Sequence, residues 1–298
     1  MKKQKFIQNK MGQEKAAQKK MGFSLIELSV VILIIGLLVI GVTKGAALMT
    51  KSRLTSAKTL TASSPVLQIA SSDLVAWYEP VLDSSFNASQ RFNETSLTGT
   101  AWFDNSASKS NPAGVAAGTP KYIESSTNNL PAVRFGGDSA LSFNAIAMNQ
   151  KADYTIFVVE RRGAATSSSA GGFLMIGGAF GYATNTTITM PGTGSQTVPA
   201  YDSPKPRILT FLSSGTALSV TKGVFVNGGT GNVAGNTTET ALSITAEVFI
   251  GKSTATNFYT GDISEIIIYS KALAADERND IQKYLSKKYG ITVTDTNS

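Results

Sequence analysis

The sequence has no cysteine and no histidine. Without cysteine there are no disulfide staples and no thiolate metal ligands, so the fold must be held by its core alone. Without histidine there is no Ser-His-Asp or Cys-His nucleophile and no imidazole-bound zinc. Charge is also scarce: 16% of the 298 residues are charged, against 42% apolar. Ser, Thr, Gly and Asn fill much of the rest, a mixture that suits a β-rich, turn-rich body better than a helical bundle. No cofactor and no metal is expected. Asp83, Asp104, Asp138 and Asp202 fall in loop-like stretches, but no ligand string joins them, and each reads as a solvated turn residue.

The formal charge of +7 invites a nucleic-acid reading that its location removes. Residues 1–22 hold seven lysines and one acid, Glu14, a net +6, and the remaining chain carries +1. A nearly neutral body gives no footing on a phosphate backbone, and no nucleic-acid partner is expected.

The basic stretch precedes residues 23–42, FSLIELSVVILIIGLLVIGV. As a helix rising ~1.5 Å per residue this run spans about 30 Å, the thickness of a bilayer core. The lysines are expected on the cytoplasmic side and the C-terminal body outside. A secretory signal has the same order but is cut after its apolar run, where residues 41–47 imitate a cleavage site only weakly. The stronger signal lies before the run.

That signal is Lys19-Lys20-Met21-Gly22-Phe23-Ser24-Leu25-Ile26-Glu27-Leu28. It resembles the leader and cleavage site of type IV prepilins. The resemblance implies cutting between Gly22 and Phe23 by a prepilin peptidase, then N-methylation of Phe23. It also implies a single-pass precursor in a bacterial inner membrane that joins other pilin subunits in a filament. Glu27 has an independent argument. A carboxylate in an apolar membrane helix costs several kcal/mol unless it is paired or near the interface. It is either an interfacial acid facing headgroups or, once cleavage frees the amine of Phe23, the partner of that amine on a neighbouring subunit. The resemblance favours the assembly role.

Beyond the membrane run the pattern predicts a stalk helix with a weak apolar stripe (Ala46, Ala47, Leu48, Leu54, Ala57, Leu60), stopped at Ser63-Ser64-Pro65. The expected organisation is a leader at 1–22, a pilin-like helix at 23–64, a linker at 65–73, a body at 74–292 and a tail at 293–298. In the body, short apolar runs alternate with polar turns. Candidate strands are 133–135, 154–160, 173–176, 208–212, 224–226, 248–250 and 263–269, and Asn227-Gly228 is a tight-hairpin signal. Ile281, Tyr284 and Leu285 share one face of a terminal helix, and Gly290 stands where that helix needs a positive φ.

The run from Phe258 to Tyr269, followed by Ile281–Ile291, resembles the terminal strand and helix of laminin-G-like (LamG), concanavalin A-like domains. Val75-Ala76-Trp77, Trp102–Ser106, Pro131–Phe135, Tyr154–Val159 and Val248–Gly251 follow in the matching order. The resemblance implies an all-β jelly-roll sandwich behind the N-terminal helix, with a short C-terminal helix. Trp77 and Trp102 either line a sugar site or belong to the core. Enzymes of that fold carry paired acids on one strand, as in Glu-x-Asp-x-x-Glu, and no such string occurs here. Asp262 and Glu265 are three apart, hence on opposite faces of a strand, and read as edge or turn residues. The expectation is a non-enzymatic pilin-like subunit, minor or specialised, displaying a lectin-like domain for a surface glycan or protein. A pseudopilin of a secretion machine, or a purely structural subunit, shares the same N-terminus.

Mass spectrometry of the mature protein is expected to find Phe23, methylated, as the first residue. A chain starting near Ala46 or Ala47 would instead establish an ordinary signal peptide.

Overall fold

The computed structural model describes residues 24–163, 171–192, 194–200, 204–216, 219–229, 232–237, 242, 244 and 248–294. The chain forms two compact units, 1–48 and 49–298. Helix α1, Leu25–Ala62, runs from one into the other. Within it, Leu25–Val42 is the one helical segment among the described residues that is long and apolar enough to cross a membrane. The helix stops where Pro65 starts a separate helical turn, Pro65–Leu67, because proline supplies no N–H and disfavours helix in the residue before it.

The strands follow in chain order: β1 Leu74–Tyr78, β2 Thr95–Ser96, β3 Thr100–Trp102, β4 Ala113–Ala117, β5 Lys121–Ile123, β6 Ala132–Gly136, β7 Ala140–Phe143, β8 Tyr154–Arg162, β9 Gly171–Met175, β10 Ala179–Tyr182, β11 Thr187–Thr189, β12 Ser195–Thr197, β13 Arg207–Thr216, β14 Ser219–Val226, β15 Asn232–Thr237, β16 Val248–Ile250 and β17 Thr260–Tyr269. Helix α2, Ala275–Tyr289, ends the fold. Two antiparallel sheets result. One has the order β15-β14-β13-β8-β17-β6-β5-β2, with β1 also on β17, and the other β12-β11-β10-β9-β16-β7-β4-β3. Strand β17 is central. Its first half pairs with β6, its second half with β1, and its whole length with β8.

This position explains why β17 is apolar on both faces. Ile263, Ile266 and Ile268 point into the core between the sheets, with Phe135, Val158, Phe173, Leu209 and Ile250. Ile267 and Tyr269 point outward into a second cluster with Phe157, Val159, Ile208, Leu273, Ile281 and Leu285. A sheet covered on both faces loses the apolar–polar alternation of a half-exposed one, and each fully buried Ile or Leu contributes roughly 1.5–3 kcal/mol. Helix α2 is the cover, with Ile281, Tyr284 and Leu285 buried as their spacing predicts. Gly290 ends it in the left-handed region at φ 65°. Asn227 and Gly228 both take positive φ in a turn closed by the Gly229 N–H on the Val226 carbonyl at 3.1 Å, but the ladder to β15 ends at Val224–Asn232, so they open a longer connection than the two-residue hairpin their pairing predicts.

The last turns of α1 share this outer layer. Ala57 is buried in the second cluster, Leu54 and Leu60 pack against it, and Thr61 is buried beside the Tyr284 hydroxyl at 3.4 Å. Arg53 donates to Asn128 and Lys58 to Asp83. Thus the end of the stalk stripe is satisfied by the body of the same chain, while Leu48 is exposed.

Between this layer and the sheet lies a buried charge cluster. The Lys288 ammonium donates to Glu265 at 2.7 Å, to Glu79 at 3.2 Å and to the Tyr284 hydroxyl at 3.0 Å, which uses all three of its N–H groups. Glu265 also accepts from Trp77 Nε1 at 2.8 Å, Tyr284 at 3.0 Å and Tyr289 at 2.8 Å. Glu79 accepts the backbone N–H groups of Val81 and Leu82 and the Ser85 hydroxyl. Burial, and after it the charge of Glu265, pushes the phenols of Tyr284 and Tyr289 well above their ordinary range, so both remain donors.

Lys288→Met is expected to cost about 3–5 kcal/mol, because it leaves two enclosed carboxylates without their cation. Combining it with Glu265→Gln should recover part of that loss. Urea denaturation of the wild type and both variants measures the difference.

Candidate functional site

Gly22 and Phe23 lie outside the described residues. Glu27 occupies the first turn of α1, and its carboxylate accepts the Ser24 N–H at 2.8 Å. The Ser24 hydroxyl in turn accepts the Ile26 N–H at 3.3 Å. Ser24-Leu25-Ile26-Glu27 is an S-x-x-E string, the capping-box pattern that satisfies N–H groups left open at a helix start. The string is plain in the sequence. Its consequence is directional: the only acid of the apolar segment is turned toward the helix N-terminus, onto the residue that follows Phe23.

The two tryptophans are buried, so neither offers a face to a sugar. Trp77 Nε1 is held by Glu265. Trp102 Nε1 donates to the Glu79 carbonyl at 3.2 Å, and its ring stacks on Phe86 with centroids 5.8 Å apart. Their indole N–H groups found acceptors inside the fold, which is what lets such large side chains be enclosed. Asp104 is buried too, contrary to the solvated turn expected of it. It accepts from the Trp77 and Ser106 N–H groups and the Ser106 hydroxyl. Asp202 lies outside the described residues.

Asp262 and Glu265 are neither edge nor turn residues. They sit on central β17, and the register shift between Ile263 and Glu265 inserts Ser264 as a bulge. A bulge adds one residue to the period of two, so both acids face outward from the sandwich rather than to opposite sides. Glu265 is enclosed under α2, whereas Asp262 lies at the far end of the strand beneath two arginines. Arg134 Nε donates to Asp262 at 2.7 Å and its Nη2 at 3.1 Å; Arg161 Nη2 donates at 2.7 Å and the Ser126 hydroxyl at 2.7 Å. Arg134 also reaches Glu94 at 3.0 Å, and Lys121 reaches the same acid at 3.3 Å. Burial opposes the charge on Asp262, but the hydrogen bonds from Arg134, Ser126 and Arg161 outweigh it and hold the carboxyl below its usual range.

This cluster borders an open cavity of about 390 Å³, lined by Arg134, Gly136, Arg161, Pro204, Thr260 and Asp262 among others. A second cavity, of about 380 Å³, lies between the body and the last turns of α1, with Lys58, Asp83, Arg91, Phe92, Tyr122 and Glu124 on its walls. Phe92 is 62% exposed there. Another enclosed acid, Glu160, faces the core between the sheets and accepts the hydroxyls of Tyr182, at 2.7 Å, and Tyr259. Its burial raises its pKa. Sequence reasoning passed over Arg134 and Arg161. Arg134 interrupts the apolar run Ala132-Val133-Arg134-Phe135, and Arg161 stands in the charged end Glu160-Arg161-Arg162 of an otherwise apolar strand; those breaks were the available signal.

Because the folded-state pKa of Asp262 is depressed, its contribution is fully present above the ordinary carboxylate pKa and is lost as pH falls through the folded value. Asp262→Asn is therefore expected to lose about 2 kcal/mol at pH 7. The gap to wild type should close as the pH drops below about 4, as read from urea midpoints at a series of pH values.

No protein-family model matches the sequence, and no curated protein matches it. Among solved structures, the body is similar to Trypanosoma rangeli sialidase in complex with 2,3-difluorosialic acid, at 14% identity and TM-score 0.51. That match covers 80% of this chain and 38% of the sialidase, so the chain spans well under half of that protein. Domain 4 of AbnA, a GH43 extracellular arabinanase from Geobacillus stearothermophilus, in complex with arabinotriose, aligns at 14% identity and TM-score 0.48, covering 73% of this chain and 98% of that one. The binding domain of botulinum neurotoxin DC in complex with rat synaptotagmin II aligns at 12% and 0.43, covering 72% and 52%. At 14% identity and a TM-score just above 0.5, the likeness to the sialidase establishes an architecture alone, an all-β sandwich.

Proposed function

We propose that the protein is a type IV pilin-like subunit. It is made as an inner-membrane precursor, cut before Phe23, and assembled into a filament that displays a binding domain. The body is read as a concanavalin A-like jelly roll of the LamG type, serving adhesion to a surface glycan or protein as a minor or specialised subunit. The observation that carries this reading is the start of α1. An apolar, membrane-length segment holds one acid, and that carboxylate is drawn toward the end of the helix where cleavage would create an amine. A buried membrane charge needs a partner, and processing at Gly22 would supply one.

Binding rather than catalysis is favoured for the body by where its acids lie. Glycoside hydrolysis needs two carboxylates flanking one bond in an open site. Glu79, Glu160 and Glu265 are instead enclosed and engaged by the protein's own side chains. A pseudopilin of a secretion machine has the same N-terminal requirements, and co-purification with pilus or secretion components separates the two.

Two substitutions test the pairing role of Glu27. Glu27→Val removes both charge and cap. Glu27→Gln keeps the capping hydrogen bond and removes only the charge. Both variants are expected to insert and to be cleaved, and both to fall at least tenfold in sheared filament fractions. Normal incorporation of Glu27→Gln would leave capping as the only role of this residue and refute pairing.

A further inference from the structure

The cavity at the Asp262 end of β17 has features that packing alone does not require. We propose that it is a carboxylate-binding subsite for an acidic sugar, with Arg161 as the recognising residue and Asp262 and Arg134 as positioning residues. This deepens the reading of the body as a displayed binding domain and rests on it.

The charges at this site are ordered from inside to outside. The Asp262 side chain is 3% exposed and those of Arg161 and Arg134 are 29% and 39% exposed, so a ligand entering the cavity meets the guanidinium groups before the acid. Every nitrogen of Arg134 has a partner: Nε and Nη2 are on Asp262 and Nη1 is on Glu94. Arg161 is not. Only its Nη2 donates, to Asp262, and its other nitrogens make no hydrogen bond among the described residues. A guanidinium has five N–H groups in a planar fork. With one used, a parallel pair remains, and such a pair matches the two oxygens of a carboxylate. Asp262 fixes the arginine in place, so little side-chain freedom is lost when the pair is occupied.

The charge balance points the same way. Arg134, Arg161 and Lys121 stand around Asp262 and Glu94, and Arg162 adds a further cation to the cavity wall, so the site favours an anion. The rest of the wall suits a sugar. Gly136, Gly163 and Gly261 line the cavity with main chain rather than side chains. Thr260 and Pro204 are exposed at its rim, which gives a hydroxyl for sugar hydroxyls and a small apolar surface for C–H groups. A volume of about 390 Å³ is in the range of small-molecule sites, roughly 300–1,000 Å³.

The test uses the full-length protein in detergent, titrated with methyl glucuronide and methyl galacturonide, with their neutral counterparts methyl glucoside and methyl galactoside, and with sodium sulfate. Binding is followed by saturation-transfer NMR and calorimetry. At least one uronide is expected to bind tenfold or more tightly than its neutral counterpart. Arg161→Ala should weaken that binding at least tenfold with the melting temperature held within a few degrees, and Arg161→Lys should restore only part of it. Failure of both uronides to bind, or equal binding of the neutral sugars, overturns the subsite. Sulfate binding as tightly as either uronide shows a general anion site and overturns the sugar assignment. A different glycan found on an array and bound equally by wild type and Arg161→Ala would also overturn the subsite while leaving the displayed-binding function standing. Loss of filament incorporation in the Glu27 variants is read independently of all these outcomes.

Discussion

The ammonium of Lys288 between the carboxylates of Glu79 and Glu265 is the constraint around which the outer layer is arranged. Three side chains from distant parts of the chain meet there: the end of β1, the middle of β17 and the last turn of α2. Taking charges out of water costs several kcal/mol per ion, and only a complete set of partners offsets it. The surroundings supply that set. Trp77, Tyr284 and Tyr289 donate to one acid, and two backbone N–H groups with Ser85 donate to the other. The requirement fixes the register of α2 along the sheet, because sliding of the helix would strand a buried charge.

That position of α2 determines much else. With the helix down, Ile267, Tyr269, Phe157 and Ile208 have a cover, and the outer face of the larger sheet becomes a second core. The last turns of α1 join the same layer through Ala57 and through Thr61 beside Tyr284. The buried tryptophans belong to the same economy of partners, since Trp77 bonds the Glu265 carboxylate and Trp102 the Glu79 carbonyl. Away from the cover, at the other end of β17, the outward acid Asp262 is met by the part-exposed guanidinium groups of Arg134 and Arg161. One strand thus carries a closed ionic cluster at its covered end and an accessible one at its other end. The bulge at Ser264 lets both acids face the same way.

Several features were legible in the amino-acid sequence because they depend on local order. The length and apolarity of residues 23–42, the stop at Pro65, the positive-φ positions at Asn227-Gly228 and Gly290, and the apolar face of α2 follow from period and backbone stereochemistry. The run of short strands separated by polar turns pointed to a sandwich, and the absence of cysteine and histidine narrowed the available chemistry. The Ser24-x-x-Glu27 cap was equally local.

What the sequence could not determine is which side chains meet across long separations. Asp262 and Glu265 differ by three residues, and a regular strand would put them on opposite faces; a bulge set by pairing with β8 put them on one. Asp104 looks like a turn residue until the Trp77 N–H, 27 positions away, is found beside it. Trp77 reads as a core residue or a sugar platform until Glu265, 188 positions away, takes its N–H. Composition and period point to one apolar helix of membrane length and a strand-rich body because they act over a few residues. The pairing of buried charges and the free edge of Arg161 were decided by tertiary structure, because a buried polar group is satisfied only by whatever the whole fold brings to it.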